Sequence, residues 1–248
     1  MTGTKKLLIF CEGQTEVNYL GEWADECKVR AQVKITRCQH NEPYLMLKEA
    51  VKEFLWAEKM NEPYSEVWIV YDRDEHETFH QAVETAKLFP YLHLCWTNPC
   101  IEAWFLMHFT MLPNLPRSQK VVIDRQENYI DGQPHLEKIV TTVELVVNPQ
   151  YMFDSLRRKW QDYSKTSTKY LKTLRSKMDL ALEQCTQTDL HQDVFAFGSL
   201  MPEVLTAIAK LATQDEMAAE EFVGHKWFEY CEQKRLEAQL FSPINHQN

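Results

Sequence analysis

Three short apolar runs in the first 110 residues each lead into a carboxylate, and helical stretches separate them; nothing else in the chain constrains its fold as much. Lys6–Cys11 (KLLIFC) runs into Glu12-Gly13, Val67–Tyr71 (VWIVY) into Asp72-Arg73-Asp74, and Tyr91–Trp96 leads to Asn98-Pro99 with Glu102 just beyond. A further segment, Ala31–Cys38, alternates in period two with Val33 and Ile35 on one face. Between these lie three stretches of helical pattern: Thr15–Lys28; Pro43–Met60, with Leu47, Val51, Phe54 and Leu55 on one stripe; and Thr78–Leu88, with Phe79, Ala82, Val83 and Ala86 on another. Asn98-Pro99 fits a helix start, with asparagine as N-cap and proline at the first helical position. Buried strands alternating with helices of this length predict an α/β chain built on a parallel sheet flanked by helices. Ligands of such sheets lie outside the carboxyl ends of the strands. The sequence therefore sends Glu12, Asp72, Asp74 and Glu102 toward one edge.

The remainder, residues 111–248, reads differently from residues 1–110. Val121–Ile123, an Asp131-Gly132 turn signal and Thr141–Val147 suggest a small β insertion. From Tyr151 onward the pattern is mainly helical: Phe153–Tyr163, Tyr170–Leu182, Pro202–Ala212 and a last helix from about Glu216 to Leu240. Between Arg157 and Lys177 stand eight basic side chains and one acid, Asp162. Placed on a helix, Lys165, Lys169 and Lys172 share a face, with Tyr163 and Tyr170 interleaved. Together with Arg158, these lysines are the candidate phosphate contacts; the alternative is a solvated helix face with tyrosines in the core.

The net charge of −9 rules out the simplest reader of nucleic acid, a basic domain, but leaves room for an enzyme that reaches phosphates through metal ions. Two carboxylates as close as Asp72 and Asp74 repel unless a cation lies between them. Hard oxygen ligands of this kind suit Mg²⁺ or Mn²⁺. Glu12 is either a third ligand or the group that acts on an attacking water. Glu102 has a metal-site reading and a plain one as a favourable charge at a helix N-terminus. His108 reads first as a core or surface histidine and second as a base.

His76-Glu77-Thr78-Phe79-His80 matches HExxH, the pattern of zinc proteases, and that chemistry needs both histidines on one helical face. Cys95 and Cys100, with His93 nearby, read as free buried thiols rather than zinc ligands. Seven scattered cysteines, an apolar run too short for a signal segment and no long apolar span predict a reduced, cytoplasmic chain without a membrane partner.

Glu12-Gly13-Gln14-Thr15-Glu16, Asp72-Arg73-Asp74-Glu75 and Asn98-Pro99-Cys100-Ile101-Glu102-Ala103-Trp104 through His108-Phe109 resemble the RloB-like family in their order and spacing. That family is related to the Toprim domains of topoisomerases, primases and OLD-family nucleases. The resemblance covers about residues 5–110, and Tyr163-Ser164-Lys165 looks like the family's downstream Tyr-x-Lys element. The stretch 111–155 is longer than in the usual pattern. The resemblance implies a Toprim-like sheet, divalent-metal phosphodiester chemistry and a bacterial anti-phage setting, often beside an ATPase partner. By position, Glu12 matches the Toprim glutamate, Asp72 and Asp74 the metal-binding pair, and Glu16 the second glutamate of the OLD-like variant.

The expected function is a metal-dependent nuclease acting on DNA or RNA, tRNA included. Glu12, Asp72, Asp74 and Lys165 are its catalytic candidates, and Glu12, Glu16, Asp72, Asp74 and Glu102 its metal candidates. The lysine would stabilise charge on the scissile phosphate. Three alternatives stand beside it: a zinc protease, a non-catalytic module that senses nucleic acid and signals to an ATPase, and a nucleotidyl transferase. A homodimer is one arrangement left open.

Overall fold

The computed structural model describes residues 5–73, 76–111, 117–187, 190–191 and 198–241. Leu7–Cys11 (β1) is buried along its whole length because it lies inside a sheet covered on both faces. Val33–Arg37 (β2) and Glu66–Asp72 (β3) pair with it in parallel, one on each side, and Leu92–Asn98 (β4) extends the sheet beyond β3. The order β2-β1-β3-β4 fits the segment order β-α-β-α-β-α-β: from β1 the chain steps outward to β2, then returns past β1 to β3. With right-handed crossovers, that reversal puts the first helix on one face and the next two on the other. It makes the β1/β3 boundary the topological switch point, where open α/β sheets hold their ligands.

The helices are Gln14–Glu26 (α1), Pro43–Lys59 (α2), Phe79–Ala86 (α3) and Ile101–Met107 (α4). α1 buries Tyr19, Leu20, Trp23 and Ala24, and α2 buries Met46, Leu47 and Ala50. Each large aliphatic or aromatic side chain buried this way stabilises the fold by about 1.5–3 kcal/mol. The mixed α/β reading holds, with element ends shifted by a few residues. Asn98 differs more: it is the last residue of β4, while Cys100 caps α4 and the Asn98–Pro99 peptide is cis. The sheet claims Asn98, since the strand keeps its pairing past Trp96.

The β insertion is present and longer than its sequence signals. Arg117–Ile130 (β5) and Gln133–Val147 (β6) form an antiparallel hairpin closed by Asp131-Gly132. Both turn residues have positive φ (50° and 76°), as a two-residue hairpin turn of the primed type requires.

After the hairpin come Pro149–Lys159 (α5), Leu171–Leu174 (α6), a 3₁₀ turn at Arg175–Lys177 and Met178–Cys185 (α7). Gly198–Ser199 (β7) then pairs antiparallel with the end of β4, a fifth strand that two residues could not announce. Met201–Thr213 (α8), Glu216–Val223 (α9) and His225–Phe241 (α10) follow. The expected single final helix is two, broken at Gly224, where the chain passes directly against Leu182. One hydrophobic core runs across residue 110: Tyr19 and Phe105 meet Tyr170, and Tyr163, Met152 and Leu174 belong to the same cluster. None of the described helices is long and apolar enough to cross a membrane.

The predicted basic helix is absent. Residues 160–170 form a loop with isolated turns between α5 and α6, so Lys165, Lys169 and Lys172 share no helical face. α1 provides the physical reason. Its side chains satisfy the loop's backbone: Thr15 Oγ1 donates to the Lys165 carbonyl (3.1 Å) and Asn18 Nδ2 to that of Ser167 (2.9 Å). The Glu22 carboxylate accepts from the N–H groups of Tyr170 (2.8 Å) and Leu171 (2.9 Å). Backbone groups paired this way need no helix.

Candidate active site

The carboxyl ends of β1 and β3 are in register, Cys11 opposite Val70, and the Glu12 N–H donates to the Val70 carbonyl (2.9 Å). Glu12 and Asp72 therefore meet at the switch point. The Asp72 N–H donates to Glu12 Oε2 (3.0 Å), while Asp72 Oδ1 accepts from the Ile101 N–H at the start of α4 (2.8 Å). The tie between Asp72 and Ile101 brings α4, and with it Glu102, to the same place. Glu102 is 2 % exposed, and its Oε1 accepts from the Tyr163 hydroxyl (2.9 Å) and lies 3.0 Å from Lys165 Nζ. The plain reading of Glu102 as a helix-end charge is thus incomplete, because one of its oxygens, Oε1, holds the loop that carries Lys165.

Glu16, in the first turn of α1, completes the group. It is buried, and its Oε2 has no hydrogen-bond partner. That oxygen folds back over Gly13, where a Cβ would stand 2.6 Å from it. Gly13 therefore serves a close approach: its φ of −119° is open to any residue, so backbone conformation is not what requires glycine.

Burial, with Glu12 and Glu102 adding repulsion, pushes the Glu16 carboxyl up to about 7. Burial, then Glu16, Glu12 and Glu102, holds Asp72 well above the usual carboxylate range. Burial works against the charge on Lys165, but Glu102 outweighs it and raises the ammonium's pKa. The carboxylates outnumber the one lysine among them, and burial with mutual repulsion raises the pKa of Glu16 and Asp72.

The structure brings Glu12, Glu16, Asp72, Glu102 and Lys165 together. Asp74 lies outside the described residues. Arg158, Lys169 and Lys172 are exposed and take no part in the cluster, Arg158 donating instead to Ser155 Oγ (2.8 Å). Tyr163 and Tyr170 are buried, as the plain reading of the interleaved aromatics expected. So is His108, whose Nδ1 is 2.9 Å from the Trp104 carbonyl.

The HExxH match dissolves in three dimensions. α3 starts at Phe79, so His76 precedes the helix and shares no helical face with His80. Glu77 pairs with Arg125 of the hairpin (3.0 Å). All seven cysteines are free thiols, Cys95 and Cys100 among the buried ones.

Two neighbours of the site went unrecognised in the sequence. Arg37, ending β2 opposite Cys11, donates through Nε to the Glu12 carbonyl (3.3 Å). Its position at a strand end beside Glu12 was the available signal. His76 touches both Glu12 and Glu42 at 3.5 Å. Burial lowers its pKa, but the two carboxylates dominate and raise it to about 9. Its sequence signal was masked by the HExxH pattern.

Among the described residues, no three His, Cys, Asp or Glu side chains stand together as a ready metal cage. The donor chemistry nevertheless fits a hard divalent cation: oxygen ligands only, two carboxyls with raised pKa and a buried carboxylate oxygen without a partner.

The model of the RloB-like protein family matches residues 7–213, spanning the sheet, the hairpin and the chain through α8. No curated protein and no solved structure matches the chain.

Proposed function

This chain belongs to the RloB-like family, and from that premise we propose that it is a divalent-metal-dependent nuclease hydrolysing phosphodiester bonds of nucleic acid. The observation that carries the reading is the convergence of Glu12, Glu16, Asp72 and Glu102 with Lys165 at the β1/β3 switch point. Glu12, Glu16, Asp72, Glu102 and, from the sequence, Asp74 are the residues that would hold Mg²⁺ or Mn²⁺. When bound, such an ion neutralises phosphate charge and lowers the pKa of a water.

The chain's own groups supply the remaining work. Glu12, half-buried with one oxygen tied to the Asp72 N–H, takes the proton of the attacking water. Lys165 offers its ammonium to the charge that grows on the phosphate, and the loop strapped to α1 holds it there. Tyr163 keeps Glu102 oriented. Arg37 gives the site a further cation, on the β2 side. Exposed Lys169 and Lys172 extend the basic surface for the phosphate backbone. In this reading the chain works in bacterial anti-phage defence beside an ATPase partner, the setting implied by the family resemblance.

The test is digestion of plasmid, single-stranded DNA and total tRNA with Mg²⁺ or Mn²⁺, alongside Asp72→Ala. Cleavage by the wild type and a loss of at least about 100-fold in the folded variant are expected. Equal activity in the two would sink the site. Binding without cleavage in the wild type would favour the sensing module instead.

A further inference from the structure

We infer that His76 is a positioning residue for Glu12, clamping one carboxylate oxygen so that the other faces the reaction; this rests on the metal-site reading above. The imidazole is 7 % exposed, and each of its nitrogens faces a carboxylate oxygen. Nε2, a buried nitrogen with no hydrogen-bond partner, lies at ion-pair distance (3.5 Å) from Glu12 Oε2, the same oxygen that accepts from the Asp72 N–H. Nδ1 lies 3.5 Å from Glu42 Oε1. Among the described residues, no hydrogen bond or ion pair engages Glu12 Oε1. The carboxylate is therefore tied through one oxygen by the Asp72 N–H, with the His76 imidazole beside that oxygen, and presents the other.

The clamp is anchored at its far end. Glu42, the residue preceding α2, also accepts from the Thr78 hydroxyl (2.8 Å) through Oε2, and Thr78 Oγ1 in turn accepts from the Tyr44 N–H (3.4 Å). Tyr71, fully buried on β3, meets the imidazole edge-on at 6.4 Å between ring centres. A histidine serving only the core needs Glu42 alone; nothing in that role calls for contact with the strand-end glutamate. The segment that imitates a zinc-protease motif thus joins the start of α2 to the carboxylate site. Such outer contacts fix a ligand's orientation, and their removal typically weakens metal affinity or activity by about 10–100-fold.

The decisive measurement is Mn²⁺ affinity of the metal-free full chain, read by electron paramagnetic resonance of free Mn²⁺. Steady-state cleavage is followed in parallel. His76→Leu should bind Mn²⁺ about 10-fold or more weakly and lose kcat while KM for nucleic acid stays unchanged. His76→Gln, whose amide nitrogen can take the place of Nε2, should recover most of both. Glu42→Gln should shift in the same direction by less.

Wild-type affinity in both His76→Leu and Glu42→Gln overturns the inference. So does a folded glutamine variant as defective as the leucine one. If His76→Leu fails to fold by circular dichroism, Glu42→Gln decides by the same affinity criterion. A wild type that binds Mn²⁺ but cleaves nothing overturns only the nuclease reading, and the affinity series still judges His76. A wild type that binds no Mn²⁺ overturns both.

Discussion

Gly13 shows what a single residue decides here. The Glu12-Gly13 pair was visible as the end of an apolar run, but the need for glycine follows from where the Glu16 carboxylate goes three residues later. Gly13→Ala puts a methyl 2.6 Å from Glu16 Oε2, at the mobile end of a side chain rather than against backbone. The fold should lose no more than about 1 kcal/mol, from the poorer N-cap. Displacement of the Glu16 carboxylate should cost on the order of 10–100-fold in cleavage rate. Thermal melts and rates on one preparation check both halves, and a variant with full activity would show that the close approach has no functional weight. Glu12, Asp72 and Glu102 were legible as site residues because each stands at a strand end or just beyond one. His76 and Arg37 were not, since their roles depend on which carboxylate they meet after folding.

At the scale of elements, the loop between α5 and α6 departs furthest from its sequence pattern. Lysines at helical spacing and apolar neighbours made a basic helix the natural expectation, yet α1 supplies hydrogen bonds that hold the backbone open. Glu22 is the strongest point of attachment, receiving two N–H groups. Glu22→Ala leaves both half-buried donors unpaired, a cost of about 1–3 kcal/mol each where water does not replace the carboxylate. The variant should melt lower and lose activity by freeing the Lys165 loop, while Glu22→Gln, retaining one acceptor oxygen, should fall between. An unchanged melt for Glu22→Ala would mean that water fully compensates. The hairpin is the opposite case: Asp131-Gly132 specifies its turn locally, so its presence was legible and only its length was not.

At the scale of the whole molecule, His108 contributes a term to stability that falls in mild acid, opposite in sign to Glu16, Asp72 and His76, whose raised pKa values add stability as pH falls. Burial holds its imidazole down to about 4, against an ordinary 6.5, with Lys177 also disfavouring the cation. The unfolded chain takes up this proton below about pH 6.5 and the folded chain only near 4, so the contribution is full above 6.5 and declines as pH falls between the two. From pH 7 to pH 5 the loss is about 2 kcal/mol. Urea melts of wild type and His108→Gln at the two pH values isolate it as the difference between the two proteins; equal changes in both would exclude the histidine as the source.

The core explains why so much of the fold was readable and part of the site was not. Apolar runs of period two and stripes of period 3.6 are local properties, so the chain alone determined four parallel strands, their covering helices and a row of carboxylates at the strand ends. Tertiary structure alone decided that Tyr163 and Lys165 meet Glu102, that Thr15 holds the Lys165 carbonyl from 150 positions away and that His76 bridges Glu12 and Glu42. These are pairings of polar groups far apart in sequence, made because buried donors and acceptors must find partners once the apolar faces have closed. No local period encodes which partner they find.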